Sequence, residues 1–330
     1  MDYSAKDDNY GHTPVMVQET LHYLQPAPGK IIVDATLGTG GHTENLLKGM
    51  VGKGLVIGID CDSYALETAK ERLASWGDSF WAVYGNFRSL EMLLKKQGIK
   101  KVDGIIFDLG VSSLQLDSPS RGFTYRDDVP LDMRMDQTLS QTALQVLKEL
   151  SRRELARVFK EYGEERWAEK IAYLIDRYRR TKGEIYTTGQ LVDIIRKAVP
   201  SGAKQKRGHP AKRVFQALRI VVNKELDNLE SGLIQGIHIL KPGGRLVLIS
   251  YHSLEDRIVK RYFKEYSREC ICPPKMPICR CGWTSLLKVL NRRPLTPARE
   301  EIEVNPRAAS ARFRAAERIH SLISSDKDGR

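Results

Sequence analysis

The segment Ile31-Ile-Val-Asp-Ala-Thr-Leu-Gly-Thr-Gly-Gly-His42 constrains the fold more than any other part of the chain. An apolar run ends in Asp34, breaks at Gly38, Gly40 and Gly41, and passes into a helical pattern after Thr43. About twenty residues further on, Leu55-Val-Ile-Gly-Ile59 ends in a second acid, Asp60. A buried strand, a glycine turn, a helix and a second strand closing on a carboxylate make the nucleoside-binding half of a Rossmann-like sheet. Glycines let the backbone approach a ligand, and a carboxylate after the second strand can accept both ribose hydroxyls. The turn departs from the dinucleotide pattern G-x-G-x-x-G, because Thr43 occupies the third position. It lies nearer to D-x-G-x-G-x-G, the S-adenosylmethionine pattern, with Thr36 in place of the first glycine. A nicotinamide cofactor and an unliganded strand-turn-helix both stay open on this segment alone.

The remaining apolar runs extend the sheet. Phe80-Trp-Ala-Val-Tyr84 reads as a third strand, and Val102 to Phe107 as a fourth that ends at Asp108. Ser63 to Ala74 between them is helical, with Ala65, Ala69 and Leu73 on one face. The alternation then stops, and about Ser140 to Val199 is helical throughout. Ser151-x-x-Glu154 and Thr187-x-x-Gln190 are capping boxes, and Trp167, Ile171, Leu174, Ile175 and Tyr178 form an apolar stripe. A long helix over about Val214 to Leu240 and a Lys241-Pro-Gly-Gly244 turn lead to a fifth strand, Gly244 to Ile249. Leu286 to Leu290 and Glu301-Ile-Glu-Val304 are expected to complete the sheet. The expected architecture is α/β: a doubly wound sheet from residues 1–111 and 214–330, interrupted by a helical subdomain at 112–213. That insertion follows the carboxyl end of strand four, where doubly wound sheets bind ligands.

The chain has 330 residues and a net charge of +12, enough length for one large or two linked domains. No acidic residue lies between Arg196 and Arg219, whereas Lys197, Lys204, Lys206, Arg207, Lys212 and Arg213 crowd there with His209. A second basic stretch carries Arg292, Arg293, Arg299, Arg307, Arg312, Arg314 and Arg318, diluted by Glu300, Glu301 and Glu303. Such clusters suit a polyphosphate partner, so nucleic acid is favoured over a merely solubilising surface. No apolar run is long enough to span a membrane, and the polar start Met1-Asp-Tyr-Ser is no signal peptide. A cytoplasmic location is expected.

Three further groups carry chemistry. Asp108 could accept a hydrogen bond from an exocyclic amine, favouring the pyramidal nitrogen that attacks a methyl donor. It could equally hold a cofactor or cap the next turn. His252, Ser253 and Asp256 follow strand five, but no G-x-S-x-G elbow accompanies Ser253, which argues against a hydrolase triad. Contact with substrate is the remaining functional reading for them. Cys270, Cys272, Cys279 and Cys281 form a four-thiol cluster with C-x-C spacing, tighter than the usual zinc knuckle. A zinc-pinned loop and unligated or redox-labile thiols both stay open, and no metal is assigned.

Taken in order, the motifs resemble the bacterial 16S ribosomal RNA (cytosine-N4) methyltransferases of the H family. The resemblance rests on His12-Thr-Pro-Val15, Asp34 to His42, Asp108-Leu-Gly-Val-Ser-Ser113, Arg121-Gly-Phe123 and Pro130 to Asp136. It continues through Tyr162-Gly-Glu-Glu165, Phe215-Gln-Ala-Leu-Arg219 and Ser250-Tyr-His-Ser-Leu-Glu-Asp-Arg257. It implies a class I methyltransferase fold and methyl transfer from S-adenosylmethionine to N4 of a cytidine in the decoding centre of the small subunit. It also implies that Gly40, Gly41 and His42 line the methionine part of the cofactor, Asp60 binds the ribose and Phe87 packs beside the adenine. Asp108 and Gln115 would complete the pocket. Tyr251 departs from the family, which often has Phe there, and the cysteine cluster is no general family feature. A methyltransferase acting on another RNA, DNA or protein amine, a dehydrogenase and a non-catalytic RNA-binding module are the competing readings. Oligomeric state stays open, a homodimer included.

Overall fold

The computed structural model describes residues 14–200, 209–273, 276, 278 and 280–319. His12, Thr13, Lys204, Lys206, Arg207 and Cys279 therefore lie outside the described residues. Two compact units form: Met1–Gly110 with Asp227–Arg330, and Val111–Leu226.

The first unit begins with α1 (Val17–Leu24), β1 (Ile31–Asp34), α2 (Gly41–Gly49), β2 (Leu55–Asp60) and α3 (Ser63–Leu73). Next come β3 (Phe80–Tyr84), α4 (Leu90–Lys96) and β4 (Val102–Asp108). The second unit holds α5 (Ser113–Asp117), α6 (Ala143–Glu149), α7 (Arg152–Glu161), α8 (Ala168–Lys182), α9 (Thr188–Ala198) and α10 (Ala211–Asn223). The chain closes with α11 (Glu225–Ile239), β5 (Leu240–Ser250), α12 (Ser253–Tyr266), β6 (Leu287–Val289), α13 (Arg299–Val304) and β7 (Arg312–Arg318).

The strands make one sheet in the order β3-β2-β1-β4-β5-β7-β6. The first five run parallel, and β7 pairs antiparallel with both β5 and β6. This is a doubly wound α/β sheet with an antiparallel end. Ile32, Val33, Val56, Ile57, Ile105, Ile106 and Phe107 are wholly buried. Unbroken apolar runs of this kind belong to parallel strands covered on both faces. The order reverses between β1 and β4, and ligands bind at such a switch point.

Three expectations need correction. Glu301-Ile-Glu-Val304 lies in helix α13, not in a strand. Glu300 and Glu301 fall in its first turn, where carboxylates are favoured by the helix dipole. Glu301 Oε1 also accepts from Met16 N at 2.7 Å. The last strand is instead β7, whose arginines hide its apolar character in the sequence. Phe313, Ala315 and Ala316 are buried, and so are Arg314 and Arg318. Arg318 donates to Ile237 O at 2.9 Å, so part of the second basic stretch is internal and not a phosphate-binding face. The long helix near residues 214–240 is two helices, because Lys224 adopts a left-handed conformation with φ 52° between α10 and α11.

The second unit has its own core, including Leu155, Phe159, Ile171, Ile175, Leu191, Ile195 and Leu218. Both expected capping boxes are present, Ser151 with Glu154 and Thr187 with Gln190. The Arg121-Gly-Phe123 and Pro130–Asp136 segments interlock here. A Cβ on Gly122 would sit 2.3 Å from Pro130 O, and Arg121 donates 2.9 Å bonds to the carbonyls of Arg134 and Met135. Asn223 holds the same loop through Met135 N (2.7 Å) and Met133 O (2.8 Å).

Candidate active site

Three adjacent strands of the first unit, β2, β1 and β4, each end on an aspartate: Asp60, Asp34 and Asp108. The glycine turn after β1 needs left-handed backbone at Gly38 (φ 52°) and Gly40 (φ 83°). L side chains are costly there. A Cβ on Gly40 would also lie 2.8 Å from Leu73 Cδ1, and one on Gly41 would lie 3.1 Å from Pro14 Cγ. Asp34 braces this turn. Its carboxylate accepts from Thr43 Oγ1 at 2.8 Å and from Thr36 N at 3.3 Å. Burial pushes its pKa up, with His42 and these hydrogen bonds pulling the other way.

Asp60 is oriented by backbone. Gly38 N donates to Oδ2 and Asp62 N to Oδ1, both at 2.8 Å. Burial nevertheless raises its pKa to about 6, outweighing those two bonds. The glycine turn and the expected ribose carboxylate are thus one hydrogen-bonded unit.

Asp108 sits beside them. Its N–H donates to Thr36 Oγ1 at 2.7 Å, which fixes the end of β4 to the turn after β1. Oδ1 accepts from the Tyr251 hydroxyl at 2.8 Å, and Oδ2 lies 3.4 Å from His42 Nε2. His42 is 6% exposed, and neither ring nitrogen meets hydrogen-bond geometry. Burial opposes its protonation, but the Asp108 carboxylate wins and the imidazole pKa is raised. Burial and the same carboxylate push the Tyr251 phenol well above its ordinary value, so it remains a donor. Gly110 (φ 106°) makes room for Tyr251, since a Cβ there would be 3.3 Å from the ring.

Phe87 packs edge-on to Phe107 with centroids 5.4 Å apart. A Cβ on Gly232 would meet its ring at 2.8 Å. Gln115 lies in the second unit and is buried. Its side chain accepts from Ser112 N at 3.2 Å in a capping box at the start of α5. The S-x-x-Q signature was legible in the sequence, though the resemblance drew attention to Gln115 as a pocket residue instead.

The group after β5 does structural work. His252 and Glu255 form the capping box of α12, and Glu255 Oε2 accepts from Tyr251 N at 2.8 Å. Asp256 binds Arg314 through 2.6 and 3.2 Å bonds and Arg312 at 3.3 Å, clamping α12 to β7. Burial raises the Asp256 pKa, but the two guanidinium groups outweigh it and the net shift is downward. Ser253 opens α12. Sequence reasoning missed Thr36, Thr43, Gly110 and Glu255, whose partners are distant in the chain or ordinary in type. Gly110, two residues after Asp108, and Glu255, three residues after its N-cap partner His252, carried local hints.

Residues 9–319 match the profile of the MraW methylase family. The chain belongs to that family. The ribosomal RNA small subunit methyltransferase H of Halothermothrix orenii is 50% identical over 308 residues, spanning 93% of this chain and 98% of that protein. The enzymes of that name from Heliobacterium modesticaldum and Geobacter sulfurreducens are 49% identical over 311 residues and 50% over 310. Each alignment covers 94% of the methylase described here and 99% of the relative. The methylase therefore matches these enzymes along its length, not through the glycine turn alone.

Proposed function

We propose that the chain transfers a methyl group from S-adenosylmethionine to N4 of a cytidine in the decoding centre of 16S ribosomal RNA. The observation that carries this reading is the Asp108 carboxylate at the switch point. One oxygen is held by Tyr251 and the other faces His42 without a hydrogen bond. The names of the relatives support the small-subunit substrate.

The residues present fit the donor. A buried imidazole whose Nδ1 has no hydrogen-bond partner among the described residues, two left-handed glycines and a backbone-oriented carboxylate converge at the strand ends. In this reading Gly40, Gly41 and His42 line the methionine part, Asp60 accepts from the ribose hydroxyls and Phe87 packs beside the adenine. When bound, the donor supplies an electrophilic methyl carbon and a neutral thioether leaving group. Asp108 accepts a hydrogen bond from the cytosine amine and favours the pyramidal nitrogen whose lone pair can attack in line. The alkylated amine is acidic and passes its extra proton to Asp108 or water, so no strong base is needed. Orientation supplies most of the rate. The second unit recognises the RNA, with Lys197, Lys212 and Arg213 on its phosphates while the target base leaves its stack.

Labelled S-adenosylmethionine with unmodified small ribosomal subunits, followed by nucleoside mass spectrometry, tests the proposal. N4-methylcytidine at one position is the expected product. Label in another nucleoside or in protein would overturn the substrate and leave the methylase assignment standing. Titration calorimetry with S-adenosylmethionine against NAD checks the cofactor separately.

A further inference from the structure

Between α12 and β6 the chain makes a loop whose base is well fastened. Leu286 N donates to Tyr266 O and Trp283 Nε1 to Arg268 O, each at 2.9 Å. The rings of Tyr266 and Trp283 stand 6.0 Å apart above that base. Beyond it, no described residue from Arg268 to Ser285 is buried. Ile271, Met276 and Ile278 are 48%, 45% and 67% exposed. Among the described residues of the loop, apolar packing therefore supplies no core.

What the tip has is sulfur. The Sγ atoms of Cys270, Cys272 and Cys281 all lie within 4.8 Å of one another, with Cys270 and Cys281 at 3.7 Å. A disulfide would need about 2.05 Å. A tetrahedral zinc site with bonds of about 2.3 Å holds its sulfurs about 3.8 Å apart. The backbone supports an anionic sulfur as well, since Cys272 N donates to Cys270 Sγ at 3.3 Å. Gly282 follows Cys281 with φ 60°, left-handed backbone that glycine adopts readily.

We propose that Cys270, Cys272 and Cys281 bind one zinc ion, which pins the loop between α12 and β6. Thiolates are soft ligands, and tetrahedral sulfur sites select zinc or iron–sulfur clusters over magnesium or calcium. Each thiol loses its proton on binding, and no electron moves. The site is independent of the methyl-transfer reading, being a separate cluster beyond the end of α12. The sequence holds a further thiol at Cys279, outside the described residues, and the proposal stands on the other three.

The test is metal analysis of the full chain, purified without chelator and with any tag removed. Inductively coupled plasma mass spectrometry should find about one zinc per chain. The variants Cys270→Ser, Cys272→Ser and Cys281→Ser should each lose most of it, and Cys61→Ser should keep it. Releasing the metal from the wild-type chain with a mercurial reagent should loosen the loop and speed tryptic cleavage after Arg268 and Arg280, which are exposed in the folded chain. That readout does not depend on a variant folding. A zinc-free chain after growth and refolding in zinc would overturn the proposal. So would iron with acid-labile sulfide, or an intact mass showing Cys270 oxidised to Cys281.

Discussion

Tyr251 donates its hydroxyl hydrogen to Asp108 Oδ1 at 2.8 Å, joining the residue after β5 to the last residue of β4. The bond leaves Oδ2 facing His42. One carboxylate thus has a fixed orientation and an acceptor still available for a substrate amine.

Replacing Asp108 by Ala removes that acceptor. Single-turnover methyl transfer should fall by about a hundred- to ten-thousand-fold, the usual range for a positioned proton acceptor. A rate near wild type, with only weaker cofactor binding, would refute the acceptor role and leave a cofactor-holding one.

Tyr251→Phe keeps the ring beside Gly110 and loses only the hydroxyl. Because that hydroxyl orients the carboxylate without touching the reacting atoms, kcat should drop by about tenfold and the cofactor Kd should hold. A change confined to cofactor affinity would show that Tyr251 serves the binding pocket.

The proposed ribose contact of Asp60 predicts a pH-dependent cofactor affinity. Its pKa, raised to about 6 by burial, means the anionic acceptor is present above that value and is lost as pH falls through it. Calorimetry should therefore show S-adenosylmethionine affinity steady near pH 8 and weakening about tenfold per pH unit below about 6. A flat profile would separate Asp60 from the ribose.

Gly40→Ala forces a side chain onto backbone at φ 83° and against Leu73. The expected cost is about 1–3 kcal/mol, read as a lower melting temperature, together with reduced cofactor binding. An unchanged melting temperature would mean the turn relaxes without penalty.

Asp256→Asn tests the clamp between α12 and β7. Arg314 would be left buried without its anion, and stability should fall by about 3–5 kcal/mol by denaturant titration. The sign with pH follows from the depressed carboxylate pKa. The wild-type contribution is fully present above the unfolded carboxylate value, about 3.9, and is lost as pH falls through the lower folded one. A stable variant with impaired transfer would restore the substrate-contact reading of this residue.

Much of the fold was legible from local pattern. β1 and β2 are apolar runs closing on an aspartate, the later halves of β4 and β5 are buried apolar runs of the same kind, and the aspartates at 34, 60 and 108 mark three strand ends directly. Capping boxes announced α7 and α9, since an N-cap is a contact between residues three apart. The turn after β1 was legible because glycine adopts its left-handed backbone angles most readily. The antiparallel end of the sheet was not legible. β7 buries Arg314 and Arg318 with partners on α12 and α11, and no local pattern separates such arginines from solvated ones.

The same division holds at the candidate site. Sequence alone determined that aspartates close the strands, that glycines shape the turn and that thiols cluster late in the chain, because each is a matter of residue type and spacing. Tertiary structure decided that Tyr251 rather than His252 reaches Asp108, that Asp256 serves Arg314, and that Gly38 hands its amide to Asp60. Those pairings join residues 143, 58 and 22 positions apart. Only the packed sheet brings them within hydrogen-bonding distance, and direction and distance are what hydrogen bonds require.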